Sequence, residues 1–109
     1  MNWQITFLEE ALQDLTKLDG SVRARVLKGL RKVSQNPLPA SQGGYGKPLG
    51  HKNGINLTNL LKIKFRDLGI RVVYKVEITN SVMNIIIISA RTEEQVYEET
   101  QVRRIKHDL

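Results

Sequence analysis

Residues 61–76 read LKIKFRDLGIRVVYKV, and along this stretch apolar side chains alternate with mostly cationic ones on both sides of a short break. An alternation of period two predicts β-strands with one buried face, and the Asp-Leu-Gly segment at 67–69 supplies a turn between them. The chain is therefore predicted to contain a β-hairpin. The second face of this hairpin collects five cations, which are Lys62, Lys64, Arg66, Arg71 and Lys75.

The same alternation restricts how the two strands pair. A register that places Phe65 opposite Val72 keeps the apolar side chains on one face. It also places Ile63 opposite Tyr74. A slip of one residue would bury Lys64, so the pattern favours this register.

A strand and two helices are predicted before the hairpin. Residues 2–7 alternate polar and apolar side chains, and residues 8–18 repeat apolar ones every three or four positions as far as Asp19-Gly20. Ser21 is the predicted N-cap of a second helix that ends at Asn36-Pro37. The predicted inward positions are Leu8, Ala11, Leu12, Leu15 and Leu18 in the first helix, and Val22, Val26, Leu30 and Val33 in the second. The short connection between the two helices predicts an antiparallel helical hairpin that covers one face of a sheet.

The remaining segments are a loop, a strand and a helix. Residues 36–59 contain all three prolines and five glycines, which predicts a mobile surface loop. Residues 83–89 are apolar without alternation, as expected for a strand covered on both faces. Thr92 and Gln95 match a capping box and begin a last helix. The predicted inward positions of that helix are Val96, Thr100 and Val102.

Composition restricts the class of protein further. A chain of 109 residues with 40% hydrophobic residues allows one domain, residues 1–109, with an unaided core. The net charge of +6 favours an anionic partner. There is no cysteine, which fits a reducing compartment, and neither a signal peptide nor a membrane span is predicted, so we expect a cytoplasmic protein.

The cationic face of the hairpin is the strongest candidate for a functional site. Cross-strand neighbours on one face lie about 5 Å apart, so several like charges crowd one patch. This crowding is most stable when an anion binds there, and a phosphodiester is a common anion for Lys and Arg together. A solvated strand face is the alternative, because exposed strands carry lysine as protection against edge pairing. Periodicity alone leaves both open.

The order of these segments resembles the RelE/ParE superfamily of bacterial toxins from toxin–antitoxin systems. The resemblance rests on the hairpin residues 61–66 and 69–74, the Asn-Pro end of the second helix, the Gly-Lys-Pro-Leu-Gly segment at 46–50 and Arg91 before the last helix. It covers nearly the whole chain. It implies an α+β fold, in which an N-terminal strand and a helical hairpin pack on a small, mainly antiparallel sheet, with a short C-terminal helix.

The RelE-like branch of this superfamily cleaves messenger RNA in the ribosomal A site, and its site residues match positions in this sequence. The resemblance implies the catalytic residues Lys62, Lys64, Arg71, Arg91 and Tyr97. Four further cations, Lys47, Lys52, Arg66 and Lys75, are predicted to bind RNA. The implied reaction is attack of a 2′-hydroxyl on the adjacent phosphate, without metal or cofactor. Neighbouring cations would lower the pKa of Lys62, so that it serves as general base.

Four positions leave alternatives open. Glu93 stands where RelE-like nucleases often carry a basic residue, which would weaken the site, although an acidic first turn also complements a helix dipole. Tyr97 fits a stacking residue and a core residue equally well. His51 and His107 are expected to lie outside the site, with His107 solvated.

Two other functions fit the same pattern. A ParE-like inhibitor of DNA gyrase shares the fold and acts by binding. A basic nucleic-acid-binding module without catalysis would show salt-dependent affinity and no cleavage product. The resemblance to the RelE-like branch implies three partners: the ribosome, mRNA and a cognate antitoxin that is acidic and partly disordered when free. It implies contact with operator DNA only through the antitoxin, and no membrane partner.

Overall fold

The computed structural model describes residues 2–52 and 54–109, which form three helices around a five-stranded sheet. The elements in chain order are β1 (Gln4–Phe7), α1 (Glu9–Thr16), α2 (Gly20–Val33), β2 (Lys47–Lys52), β3 (Ile55–Phe65), β4 (Ile70–Glu77), β5 (Val82–Ser89) and α3 (Glu93–Lys106). The strand order is β1-β5-β4-β3-β2, and only the pair β1 and β5 is parallel. The predicted α+β class with a mainly antiparallel sheet is confirmed.

The sheet is covered on both faces. Buried residues of α1 and α2, such as Ala11 and Leu30, share one apolar cluster with Val72 and Ile85. Side chains of the opposite face join α3 in a second cluster, whose members are Leu49, Leu57, Leu60, Val73, Ile86, Ile87, Val96 and Tyr97. Strand β5 contributes to both clusters, as its continuous apolar run predicts.

The hairpin forms between β3 and β4, but the predicted register is wrong by two residues. Phe65 pairs with Ile70, Ile63 with Val72 and Leu61 with Tyr74. The connection sets this register, because a 3-10 turn at Arg66–Leu68 is closed by Gly69 with a φ of 66°. A shift by an even number of residues leaves every side chain on its predicted face.

The prediction of a loop over residues 36–59 is wrong for its second half. Residues of β2 form the edge strand beside β3, and β3 itself begins at Ile55. An edge strand accommodates Pro48, which can lack a ladder hydrogen bond on its outer side. Positive φ values at Gly50 and Asn59 accompany an irregular register near Pro48. The glycines and the proline of this segment therefore produce a bulged edge strand, where a loop was predicted.

The helices differ from the predictions in one N-cap and in the exposure of two side chains. Asp19, and not Ser21, is the N-cap of α2, and its carboxylate accepts hydrogen bonds from the backbone N–H and hydroxyl of Ser21. Leu12 and Val102 were predicted to face inward but are 49% and 58% exposed. The predicted apolar face of each helix is wider than the strip that contacts the sheet. Leu12 and Val102 lie at the edge of that face and remain exposed.

Candidate functional site

The start of α3 lies over the middle of β3. Thr92 and Gln95 form the predicted capping box, in which the backbone N–H group of each residue donates to the side chain of the other. Glu93 and Tyr97 are four residues apart and therefore share one face of the helix. Both side chains contact Lys62 of β3.

Lys62, Glu93 and Tyr97 form a closed triad of hydrogen bonds. The Lys62 ammonium donates to Glu93 Oε1 at 2.7 Å and to the Tyr97 hydroxyl at 2.8 Å. The Tyr97 hydroxyl donates to the same Glu93 oxygen at 2.6 Å. The side chain of Lys62 is only 12% exposed, whereas that of Glu93 is 50% exposed.

The triad determines the protonation states of its members. Burial disfavours the Lys62 ammonium, but the hydrogen bonds that it donates to Glu93 and Tyr97 outweigh the effect of burial and raise the pKa of Lys62. The hydrogen bonds from Lys62 and Tyr97 lower the pKa of Glu93 to about 2. Burial, followed by the Glu93 hydrogen bond, raises the pKa of Tyr97. The predicted lowering of the pKa of Lys62 is therefore wrong in this structure, because a carboxylate stands among the cations.

The arginines approach the triad from β4 and from the end of β5. Arg71 pairs with Lys64 across the hairpin, and its guanidinium donates to the backbone carbonyl of Arg91 at 3.0 Å. The Nε of Arg71 is buried and has no hydrogen-bond partner among the described residues. Arg91 is exposed and lines a cleft together with Lys17 and Gln95. Lys64 is exposed and lies two residues from Lys62 on the same face of β3.

The four predicted RNA-contacting residues have different surroundings. Lys47 is exposed and pairs directly with Lys62 across β2 and β3. Arg66 is exposed in the hairpin turn, where it lines a depression with Lys64. Lys75 lies on the same face, but its ammonium is directed to the backbone carbonyl of Leu109 at 3.4 Å. The side chain of Lys52 lies outside the part of the chain that the structure describes.

Tyr97 combines the two roles that its sequence position left open. It is 2% exposed and belongs to the apolar cluster below α3, while its hydroxyl is in the triad. Glu93 was expected to weaken the site, and the structure adds that its carboxylate accepts hydrogen bonds from both Lys62 and Tyr97. Its spacing of four from Tyr97, directly after a capping box, is a signal that could have placed it beside Lys62.

The histidines lie outside the triad. His51 is exposed on β2. His107 is not solvated as predicted, because its Nε2 lies 2.9 Å from a carboxylate oxygen of Glu10. In residues 2–52 and 54–109 no cluster of three His, Asp or Glu side chains could hold a metal ion. Over the same residues, no helix is both long and apolar enough to cross a membrane.

Solved structures of RelE toxins share this architecture. The free Escherichia coli toxin RelE, in a doubly arginine-substituted form, aligns with a TM-score of 0.72 and 28% identity over 96% of this chain and 99% of that one. The intact Escherichia coli RelBE toxin–antitoxin complex aligns with a TM-score of 0.64 and 26% identity over 84% and 99% of the two chains. The fold is therefore that of the RelE toxins.

Sequence comparison gives the family. No protein-family model matches the chain. A RelE-like toxin protein of Escherichia coli is 30% identical over 98 residues, which are 89% of this chain and 92% of that protein. The chain belongs to the RelE-like family of toxins of toxin–antitoxin systems.

Proposed function

We propose that this RelE-like toxin is an mRNA interferase, an endoribonuclease that cleaves mRNA on the ribosome. The observation that carries the proposal is the contact of a nearly buried lysine, Lys62, with the hydroxyl of Tyr97, at a sheet face that also presents Lys47, Lys64 and Arg71. Fixed cations and a hydroxyl in one place stabilise the charge that develops on a phosphoryl group.

The proposed reaction transfers a phosphoryl group within the RNA chain. The 2′-oxygen forms a bond to the adjacent phosphorus, and the bond from phosphorus to the 5′-oxygen breaks. The 2′-hydroxyl loses its proton to a base, and the 5′-oxygen gains one. The products are a 2′,3′-cyclic phosphate and a 5′-hydroxyl, so water is not consumed.

Each side chain of the site has a proposed role in this step. The raised pKa of Lys62 keeps it as an ammonium, so its proposed role is to donate to a phosphoryl oxygen in the place that Glu93 Oε1 occupies, while the 2′-hydroxyl proton passes to solvent. Lys64 is exposed and faces Arg71 across the hairpin, and the two side chains are proposed to help hold the non-bridging oxygens. Arg91 stabilises the leaving oxygen, and Tyr97 orients the attacking hydroxyl. Lys47 and Arg66 contact the RNA backbone on either side, and Lys52 and Lys75 are proposed to extend that surface.

The partner of this toxin is proposed to be an antitoxin. The Escherichia coli RelE structures include complexes with the antitoxin RelB, one with the intact antitoxin and one with a peptide of it. The net charge of +6 on this chain favours an acidic segment as the bound partner.

Expression of the toxin without its antitoxin tests the proposed function. We expect growth to stop through loss of protein synthesis, and primer extension on cellular transcripts to show new 5′ ends inside coding sequences. Continued protein synthesis with gyrase-linked DNA breaks would instead indicate a ParE-like inhibitor. Binding to RNA without any new 5′ end would indicate a non-catalytic module.

Two substitutions of Tyr97 separate its role in the core from its role in the site. Tyr97→Ala removes a buried ring and is expected to destabilise the fold by about 3–5 kcal/mol. Tyr97→Phe keeps the ring and loses only the hydroxyl, so it is expected to cost about 1 kcal/mol of stability. It is expected to slow cleavage about a hundredfold. Denaturant unfolding and the rate of transcript cleavage measure the two effects, and a Phe variant with the parental cleavage rate would remove Tyr97 from the site.

A further inference from the structure

We propose that Glu93 is a built-in competitor of the substrate phosphodiester, so that RNA must displace its carboxylate before Lys62 and Tyr97 can act. The inference rests on the proposed function, because it assigns an anion of RNA to the same two donors. It makes Glu93 a residue that sets the affinity of the site, separate from the cations that hold the phosphate.

The contacts of Glu93 are those expected of a bound phosphate oxygen. A single oxygen, Oε1, accepts from the Lys62 ammonium at 2.7 Å and from the Tyr97 hydroxyl at 2.6 Å. Charge-assisted bonds of this length are strong, and a phosphoryl oxygen accepts the same pair of donors. The Tyr97 hydroxyl has a single proton, so it cannot donate to the carboxylate and to a phosphodiester at the same time.

Glu93 is also the member of the triad that can move. Its side chain is 50% exposed, whereas Lys62 is 12% exposed and Tyr97 is 2% exposed within the apolar cluster. The cap of α3 is made by Thr92 and Gln95, so rotation of the Glu93 side chain toward solvent breaks no hydrogen bond of the cap. The donors stay in place while the competing anion leaves.

The competition persists at neutral pH. The pKa of Glu93 is about 2, so the carboxylate remains ionised throughout the physiological range. A phosphodiester that approaches Lys62 therefore meets a negative charge already bound there. We expect this charge to weaken binding of RNA without changing the orientation of the cations.

The test compares Glu93→Gln with Glu94→Gln. Both residues lie in the first turn of α3, so both substitutions remove one charge and the same helix-dipole interaction. Glu94 is exposed and makes no side-chain hydrogen bond or ion pair within residues 2–52 and 54–109, which makes it the matched control. The probe is a short single-stranded RNA with 2′-O-methyl groups, which binds but cannot be cleaved, measured by fluorescence anisotropy at fixed ionic strength.

Glu93→Gln is expected to bind this RNA about tenfold more tightly than the parent, and Glu94→Gln is expected to bind it less than about twofold more tightly. The pKa of the Tyr97 phenol, followed by NMR of the ring carbons, is expected to fall in Glu93→Gln alone, because the carboxylate that raises it is gone. With a cleavable substrate, KM is expected to fall and kcat to be retained.

The other results separate the role of Glu93 from the proposed function. Equal gains in RNA affinity in both variants would mean that the effect comes from net charge alone. A fall in kcat with unchanged affinity in Glu93→Gln would make Glu93 a proton acceptor. If the parent cleaves mRNA but Glu93→Gln matches Glu94→Gln, the role of Glu93 fails and the proposed function stands. If no protein cleaves mRNA and only Glu93→Gln binds the probe tightly, the competition stands and the proposed function fails. If none cleaves and none binds, both fail.

Discussion

Lys62→Ala is expected to abolish growth arrest and to slow transcript cleavage by about a hundredfold to a thousandfold. Removal of one preorganised donor from a site that stabilises developing charge costs about 3–4 kcal/mol in the transition state. In this protein the loss removes the ammonium that contacts both Tyr97 and Glu93. Primer extension on induced cultures and the cleavage rate on programmed ribosomes measure the effect.

The folded state is expected to tolerate this substitution. Glu93 is half exposed, so water replaces its lost partner, and Tyr97 keeps its hydrogen bond to Glu93. Lys28→Ala, on the exposed face of α2, is the control for the loss of one positive charge. A Lys62→Ala protein that melts like the parent and remains equally toxic would make the cationic face of the hairpin an ordinary solvated surface.

Arg103→Met is expected to destabilise the fold by about 3–5 kcal/mol, because it leaves the largely buried carboxylate of Asp14 without its charged partner. The Arg103 guanidinium donates to Asp14 at 2.6 and 3.2 Å and to the carbonyl of Ile86 at 3.0 Å. The two side chains are 11% and 16% exposed. This pair joins α3 to α1 and to β5, so it also holds Glu93 and Tyr97 over β3. Denaturant unfolding measures the change.

Two further variants test whether the effect belongs to the ion pair. Lys106→Met removes a lysine whose side chain is 65% exposed and paired with Glu10, and it is expected to cost less than about 1 kcal/mol. The double variant Asp14→Asn with Arg103→Met is expected to recover part of the loss, because no buried charge is then left unpaired. An Arg103→Met protein as stable as Lys106→Met would contradict a structural role for the pair.

Most strands and helices were predictable because their patterns depend on neighbours in sequence. The period of two in residues 61–76 located the hairpin and its cationic face, and the capping box at Thr92 located the start of α3. The continuous apolar run of β5 indicated a strand covered on both faces, and the structure confirms it. Strand β2 was missed, because an edge strand with glycine and proline has no periodic signal of its own.

The sequence by itself determined the fold class, the face on which the cations lie and the resemblance to RelE-like toxins. Tertiary structure alone decided the chemistry of Lys62. Glu93 and Tyr97 are 31 and 35 residues away from it in sequence, and they reach it only because α3 docks over β3. A lysine among cations is expected to have a lowered pKa, but the carboxylate that α3 places beside Lys62 raises it. Local patterns specify which face a side chain occupies, whereas its charge state depends on partners that only packing brings together.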